Sequence, residues 1–351
     1  MQLGKSSLEI SRVVLGCMWS ERLSEASITR LVHAAYDAGI TAFDTAPLYG
    51  FHSSEELLGR VLRDRRQRVQ LLSKAGLRWD DTHGDLLFEF TDASGTRRAV
   101  RKDSRPKALL AEVEASLRRL GTDVIDLLQI HHPDVTTPLE DSLGALQDLV
   151  RQGKVRALGV SNFSPAQLTR ASEFLRNDTP LASLQCEYNL LERWPEAELF
   201  DICRAHELSV LAYSPLAKGV LAAADAHSTG ARASDDSFYG HPLARPLIQT
   251  AVRDTLAPLA AKHDVGVSEI ALAFVLATDP SRAVVVGASS EQQARANARA
   301  QGVTLSASEL ASLRARFERL DTPLRTLRRT LKLPGVSRLD ALARRVLKKL
   351  R

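Results

Sequence analysis

Apolar and polar positions alternate along the chain in a repeating order. Short β-branched or apolar runs, "VVLGCM", "TAFDTA", "VQLLSKA", "VIDLLQI", "VRALGVS", "LASLQCEY", "SVLAYS" and "AVVVGA", are each followed by a loop and then a stretch with apolar residues at helical spacing. The spacing predicts helices over 25–38, 53–62, 105–120, 138–152, 165–175, 196–206 and 291–300. Strands that are apolar on both faces and alternate with helices make a parallel sheet covered by those helices. Eight of them predict an α/β fold, a closed (β/α)8 TIM barrel. The opening "SLEISRVV" predicts an N-terminal β-hairpin that plugs the barrel floor. Two connections, 76–103 after the third strand and 215–246 after the seventh, exceed simple βα loops. Loops of that length are usually functional or disordered, and in a barrel the loops after strands form the face that carries the active site.

Length and composition agree with a large soluble core: 351 residues, 44% hydrophobic and 25% charged. That length allows two domains or one barrel with insertions. No apolar run reaches the length of a membrane span, and the N-terminus lacks a basic start and apolar stretch, so a cytoplasmic location is expected. Cys17, Cys186 and Cys203 lie far apart, without metal-ligand spacing, and read as buried thiols. The net charge of +5 changes meaning once it is divided along the chain. Residues 322–351 hold ten Lys or Arg and one acid, a charge of +9, which leaves 37 basic and 41 acidic residues and a charge of −4 before them. A domain at 1–321 followed by a basic tail at 322–351 is therefore expected, and nucleic acid is not an expected partner.

Several predicted strands end in reactive side chains. Asp44 closes the second, Lys74 the third and His131 the fourth, while Tyr49 follows in the second loop. Each has a plainer reading alone: a turn cap for Asp44, a packing residue for Tyr49, a snorkelling stem for Lys74, a hydrogen-bonded structural group for His131. A closed barrel would bring all four to one rim. Asp44 would then keep Lys74 charged, and Lys74 would lower the pKa of the Tyr49 phenol from about 10 and make it a general acid. His131 would orient a carbonyl and stabilise its oxygen as negative charge develops. Such a set suits carbonyl reduction, and because no side chain supplies a hydride, a nicotinamide cofactor is required.

The segments "FDTAPLYG", "SSEELLG", "LLSKAG", "DLLQIHHPD", "GKVRALGVSNFS", "LQCEYNLLER", "LAYSPLAKGVL" and "VVVGASSEQQARAN" occur in the order seen in the aldo-keto reductase family, which the chain resembles from about Leu3 to Leu320. It is most similar to the bacterial subgroup of general-stress and inositol-cluster reductases. The resemblance implies a barrel that binds NADP(H) in extended form without a Rossmann motif. It also implies that Asp44, Tyr49, Lys74 and His131 are the catalytic four. By the same resemblance Ser161, Asn162 and Gln185 hold the nicotinamide amide, Tyr213 stacks on its ring, and Ser214, Leu216, Lys218 and Gly219 follow the pyrophosphate.

At the adenosine end the chain departs from the family. Gly287, Ser289, Gln293 and Asn297 are the cofactor candidates there, where the family often places lysine or arginine near Gly287 or Ser289 and another arginine near Gln293. Arg295 is the nearest cation, and relaxed use of NADP(H) and NAD(H) is expected. Trp19, Phe51, His52, Trp79, Phe90 and His132 are candidate walls for a small carbonyl substrate, or residues that merely pack their loops. In the tail, leucines around "PGVS" suggest two short basic amphipathic helices, which either pack on the barrel or a second subunit or meet an acidic surface. The leading expectation is an NADPH-dependent carbonyl reductase. The alternatives are the same chemistry run in the oxidising direction on a sugar or alcohol, and a cofactor-binding regulatory module.

Overall fold

In the computed structural model, which describes residues 1–19, 23–92, 95–176, 179–222, 238–279 and 281–331, the repeating pattern closes on itself. The strands are β1 (Val13–Gly16), β2 (Ala42–Asp44), β3 (Gln70–Ala75), β4 (Leu77–Arg78), β5 (Asp85–Thr91), β6 (Arg97–Lys102), β7 (Ile125–Ile130), β8 (Val155–Ser161), β9 (Leu181–Glu187), β10 (Ser209–Tyr213) and β11 (Arg282–Val286). Eight of them form a closed parallel barrel in the order β1, β11, β10, β9, β8, β7, β3, β2. The fold is therefore a (β/α)8 TIM barrel, and its strands are the eight apolar runs of the sequence.

The helices start and stop where local chemistry directs them. Ser24 caps helix Glu25–Asp37 by accepting from the Ser27 N–H. Ser164 and Gln167 form a reciprocal capping box at helix Pro165–Phe174. Helix Pro106–Leu120 ends on Gly121, whose φ of 61° is the left-handed conformation a helix C-terminus favours. The segment 196–206, expected as one helix, is instead two short ones, Pro195–Glu198 and Phe200–Ala205.

The chain divides into two units. The first comprises residues 1–188, 192–215 and 275–302 and contains the whole barrel. At its N-terminal end Gln2 and Glu9 form an antiparallel bridge, and the Leu3 N–H donates to the Leu8 carbonyl at 2.8 Å. Leu3, Leu8 and Ile10 are buried in one cluster with Ala42, Leu72, Leu127, Ala182 and Leu211 from the barrel strands. The expected hairpin thus fills the barrel floor. The connection 76–103, expected to be a long loop, instead holds a three-stranded antiparallel sheet in the order β4, β6, β5.

The second unit comprises 189–191, 216–274 and residues from 303 onward. Helix Ala307–Leu331 runs through position 321 with Pro323 inside it, and Leu324 beyond that position is buried. Residues 332–351, where the second tail helix is expected, lie outside the described residues. Among the described residues no helix is long and apolar enough to cross a membrane, and no group of side chains could hold a metal ion.

Candidate active site

Asp44 is the last residue of β2, Lys74 the penultimate residue of β3, and His131 the first residue after β7. Because β2, β3 and β7 are parallel neighbours, their C-terminal ends fall side by side. Lys74 is the centre of the resulting group. Its Nζ donates to Asp44 Oδ1 at 2.5 Å, to the Thr45 carbonyl at 3.1 Å and to the Tyr49 hydroxyl at 3.2 Å. An ammonium and a carboxylate buried to 1% exposure are tolerable only as such a hydrogen-bonded pair. The Tyr49 and His131 rings meet edge to face with centroids 5.8 Å apart.

The electrostatics correct one expectation. Burial pushes the half-buried Tyr49 phenol up; Lys74 pulls it down, but Asp44 adds to the rise, and the net direction is above the ordinary value rather than below it. The phenol therefore keeps its proton throughout the neutral range. Burial alone would lower Lys74, but Asp44 and Tyr49 outweigh it and its pKa rises, so the ammonium persists. Burial, aided by Lys74 and His132, holds His131 well below the usual histidine range, so its imidazole is neutral.

Beside this group Asn162 has a positive φ of 62°, and its Nδ2 donates to the His131 carbonyl at 2.9 Å and to Ser161 Oγ at 3.0 Å. The Tyr213 hydroxyl donates to Asn162 Oδ1 at 2.9 Å, which anchors that ring at the end of β10. Gln185 Nε2 donates to Asp44 Oδ2 at 2.9 Å. Ser161 thus accepts one bond and still has a proton to give, and Gln185 Oε1 has no hydrogen-bond partner among the described residues. A donor and an acceptor left over at one strand-end rim match a primary carboxamide, so these residues fit the nicotinamide end of a dinucleotide. At the start of helix Glu291–Arg299, Ser289 donates through N and Oγ to Gln293 Oε1, both at 2.8 Å, and Asn297 Nδ2 donates to the Gly287 carbonyl at 3.2 Å. The acid of that first turn, Glu291, is paired with Arg30 at 3.1 Å. Ser214 has a φ of 50°. Leu216, Lys218 and Gly219 belong to the second unit, where Lys218 (φ 56°) and Gly219 (φ 92°) share a left-handed turn.

Of the expected pocket walls, Phe51 stacks on Phe90 at 4.7 Å and meets Trp79 edge-on at 5.3 Å, while His52 lies 4.7 Å from Trp79. His52 and Trp79 also line a cavity of about 160 Å³ with Arg78, Glu112 and Arg119. Gly50, Phe51 and His52 all have positive φ, at 58°, 48° and 83°, which is strained backbone for the two larger residues. His132 lies against His131, ring centroids 5.7 Å apart, and Trp19 keeps a buried indole N–H without a partner. Two groups went unnoticed in the sequence. The Thr45 carbonyl, as a backbone atom, leaves no mark there. Gln129, fully buried on β7, is marked by being polar inside "DLLQIH" on the same strand face as His131.

The model of the aldo/keto reductase family matches residues 12–317. The chain belongs to the aldo/keto reductase family. It is an NAD(P)H-dependent oxidoreductase. It is 34% identical to "Aldo-keto reductase YhdN" of Bacillus subtilis (strain 168) over 249 residues, 69% of this chain and 67% of that one. It is 29% identical to "NADH-specific methylglyoxal reductase" of Escherichia coli (strain K12) over 333 residues, 91% and 98% of the two chains. Among solved structures, the glycerol dehydrogenase AKR11B4 of Gluconobacter oxydans superposes with a TM-score of 0.75 at 34% identity, covering 89% of this chain and 93% of the other. A thermostable aldo-keto reductase, Tm1743, solved with the inhibitor epalrestat, gives 0.70 at 28% identity, covering 90% and 98%.

Proposed function

We propose that this aldo/keto reductase, of the general-stress and inositol-cluster kind by its motifs, reduces the carbonyl of a small aldehyde or ketone with Tyr49 as general acid. The observation that carries the reading is Lys74 Nζ, which touches Asp44 Oδ1 at 2.5 Å and the Tyr49 hydroxyl at 3.2 Å. A bound nicotinamide supplies the hydride. The neutral His131 imidazole, its ring 5.8 Å from that of Tyr49, donates a hydrogen bond to the carbonyl oxygen. As that oxygen gains charge, the Tyr49 proton moves to it, and the adjacent ammonium stabilises the phenolate left behind. In the oxidising direction, the sense in which the glycerol dehydrogenase is named, the same phenolate accepts the proton. Ser161 Oγ and Gln185 Oε1 hold the carboxamide, and Asn162 fixes the Tyr213 ring against the nicotinamide. Replacing Tyr49 with Phe tests the proton step: turnover falls by about 10²- to 10⁴-fold while NADPH still binds. Wild-type turnover in Tyr49→Phe rejects the reading.

Use of both cofactors follows from the adenosine end. The Ser289 N–H and hydroxyl are both engaged by Gln293, and the first-turn acid Glu291 is already neutralised by Arg30. No cationic side chain lies between 287 and 293 to pair with a 2′-phosphate. Titration of protein fluorescence with NADPH and NADH is expected to give dissociation constants within about 100-fold of each other. A larger preference for NADPH would reveal a cationic clamp elsewhere.

A further inference from the structure

In register with Lys74 the barrel interior holds a buried polar layer whose members Gln129 and Ser183 the proposed chemistry has not used. Lys74, Gln129, Gly159 and Ser183 are successive register partners across β3, β7, β8 and β9. Gln129 and Ser183 are fully buried, and Gln185 on β9 is buried beside them. A Cβ on Gly159 would stand 2.5 Å from Ser183 Oγ and 2.9 Å from Gln129 Cγ, so only glycine leaves these side chains their places. Gln185 Nε2 donates both to Asp44 Oδ2 at 2.9 Å and to Gln129 Oε1 at 3.4 Å. A continuous chain therefore runs from Gln129 through Gln185 and Asp44 to Lys74 and Tyr49.

The layer is a poor device for stability. Gln129 Nε2 and Ser183 Oγ are buried without a hydrogen-bond partner, and an unsatisfied buried polar atom costs stability where an apolar side chain of the same shape would not. A violation of packing rules directly beneath a reactive group points to function. The Asp44 carboxylate has one oxygen on Lys74 and the other on Gln185, so the Gln185 amide sets the rotation of the carboxylate and with it the direction in which the Lys74 ammonium is drawn. Gln129 in turn accepts a hydrogen bond from that amide through Oε1.

We propose that Gln129, acting through Gln185, is a positioning residue that holds Asp44 with Oδ1 on the Lys74 ammonium and so keeps that ammonium within reach of the Tyr49 hydroxyl. The proposal rests on the assignment of Asp44, Lys74 and Tyr49 made above. Gln129→Met removes the amide and keeps its length. The melting temperature of the cofactor-free chain is expected to stay equal or rise. The NADPH dissociation constant and the carbonyl KM stay within about twofold, while kcat falls about tenfold, the scale of one hydrogen bond. The alkaline limb of kcat moves to higher pH, because a Lys74 ammonium held less closely to the Tyr49 hydroxyl pulls the phenol down less. Gln185→Met shows the same shift with a larger loss, together with weaker NADPH binding. The proposal fails if both variants keep the wild-type kcat and pH limb while Tyr49→Phe has lost turnover. It fails equally if kcat falls only in step with the melting temperature, which is the mark of a structural role. If Tyr49→Phe itself turns over normally, the proton assignment fails and carries this proposal with it.

Discussion

The pair Asp44 and Lys74 illustrates how a buried charge can be costly and specific at once. Both side chains are almost fully enclosed, and each is tolerated because the other is within 2.5 Å. Lys74→Met is therefore expected to lose stability as well as activity: it strands a buried carboxylate, at a cost of about 3–5 kcal/mol read from urea denaturation. Asp44→Asn combined with Lys74→Met should recover part of that loss, and a cycle in which the two losses simply add would deny the coupling. The pH dependence of reduction belongs to the same scale. With Tyr49 as the proposed proton donor and its pKa above the ordinary value, kcat is expected to stay level through neutrality and to fall only as pH rises past about 10. A falling limb centred near pH 7 would place the donor on another group. Asp44, Lys74 and His131 were legible in the sequence as candidates because they stand at or beside strand ends, and Tyr49 because it follows Asp44 in the loop of the same strand. The sign of the phenol's shift was not, because it depends on how much protein surrounds the ring, which no spacing reveals.

Among the elements, the N-terminal hairpin shows how little sequence is needed to close one end of a barrel. Gly4 has a φ of 52° and packs so close to β9 that a Cβ would lie 2.4 Å from the Ala182 carbonyl oxygen, while its N–H donates to Ser209 Oγ at 2.9 Å. Gly4→Ala is expected to cost about 1–3 kcal/mol, read as a lower urea midpoint with an unchanged m-value, since it must strain the turn and push the plug off β9. An unchanged midpoint would mean that the plug is dispensable. The eight barrel strands were legible because a fully buried parallel strand is an apolar run with turn signals at both ends. The sheet of β4, β5 and β6 was not. Its strand Asp85–Thr91 carries Leu86, Leu87, Phe88 and Phe90, all exposed or half-buried, but the partner strand Arg97–Lys102 is mostly charged, so no pair of apolar runs marks the sheet. Helix Val267–Ala277 was missed for the opposite reason: "VSEIALAFVLA" is apolar on nearly every side, so the 3.6-residue period that betrays an amphipathic helix is faint.

At the scale of the molecule, the expected division at 321 separates charge, whereas helix Ala307–Leu331 continues across it. Within the second unit Leu324 is buried, and the Arg328 guanidinium lies 4.5 Å from the centroid of the Phe238 ring. Two truncations separate the roles of helix and charge. A chain ending at Asp321 loses the last turns of that helix, including Leu324, and is expected to melt several degrees below the full chain, on the scale of about 2–5 kcal/mol for a deleted buried leucine. A chain ending at Leu331 keeps the helix and all of the residues that match the family, 12–317, so its turnover is expected to equal that of the full chain. It loses seven Lys or Arg and one acid, which takes the net charge from +5 to −1, and it should no longer be retained on a cation exchanger at neutral pH. Lost turnover in the longer truncation product would place the basic segment in the active site or in an obligate interface. Equal melting temperatures for the two truncated chains would show that the helix beyond 321 carries no packing of consequence.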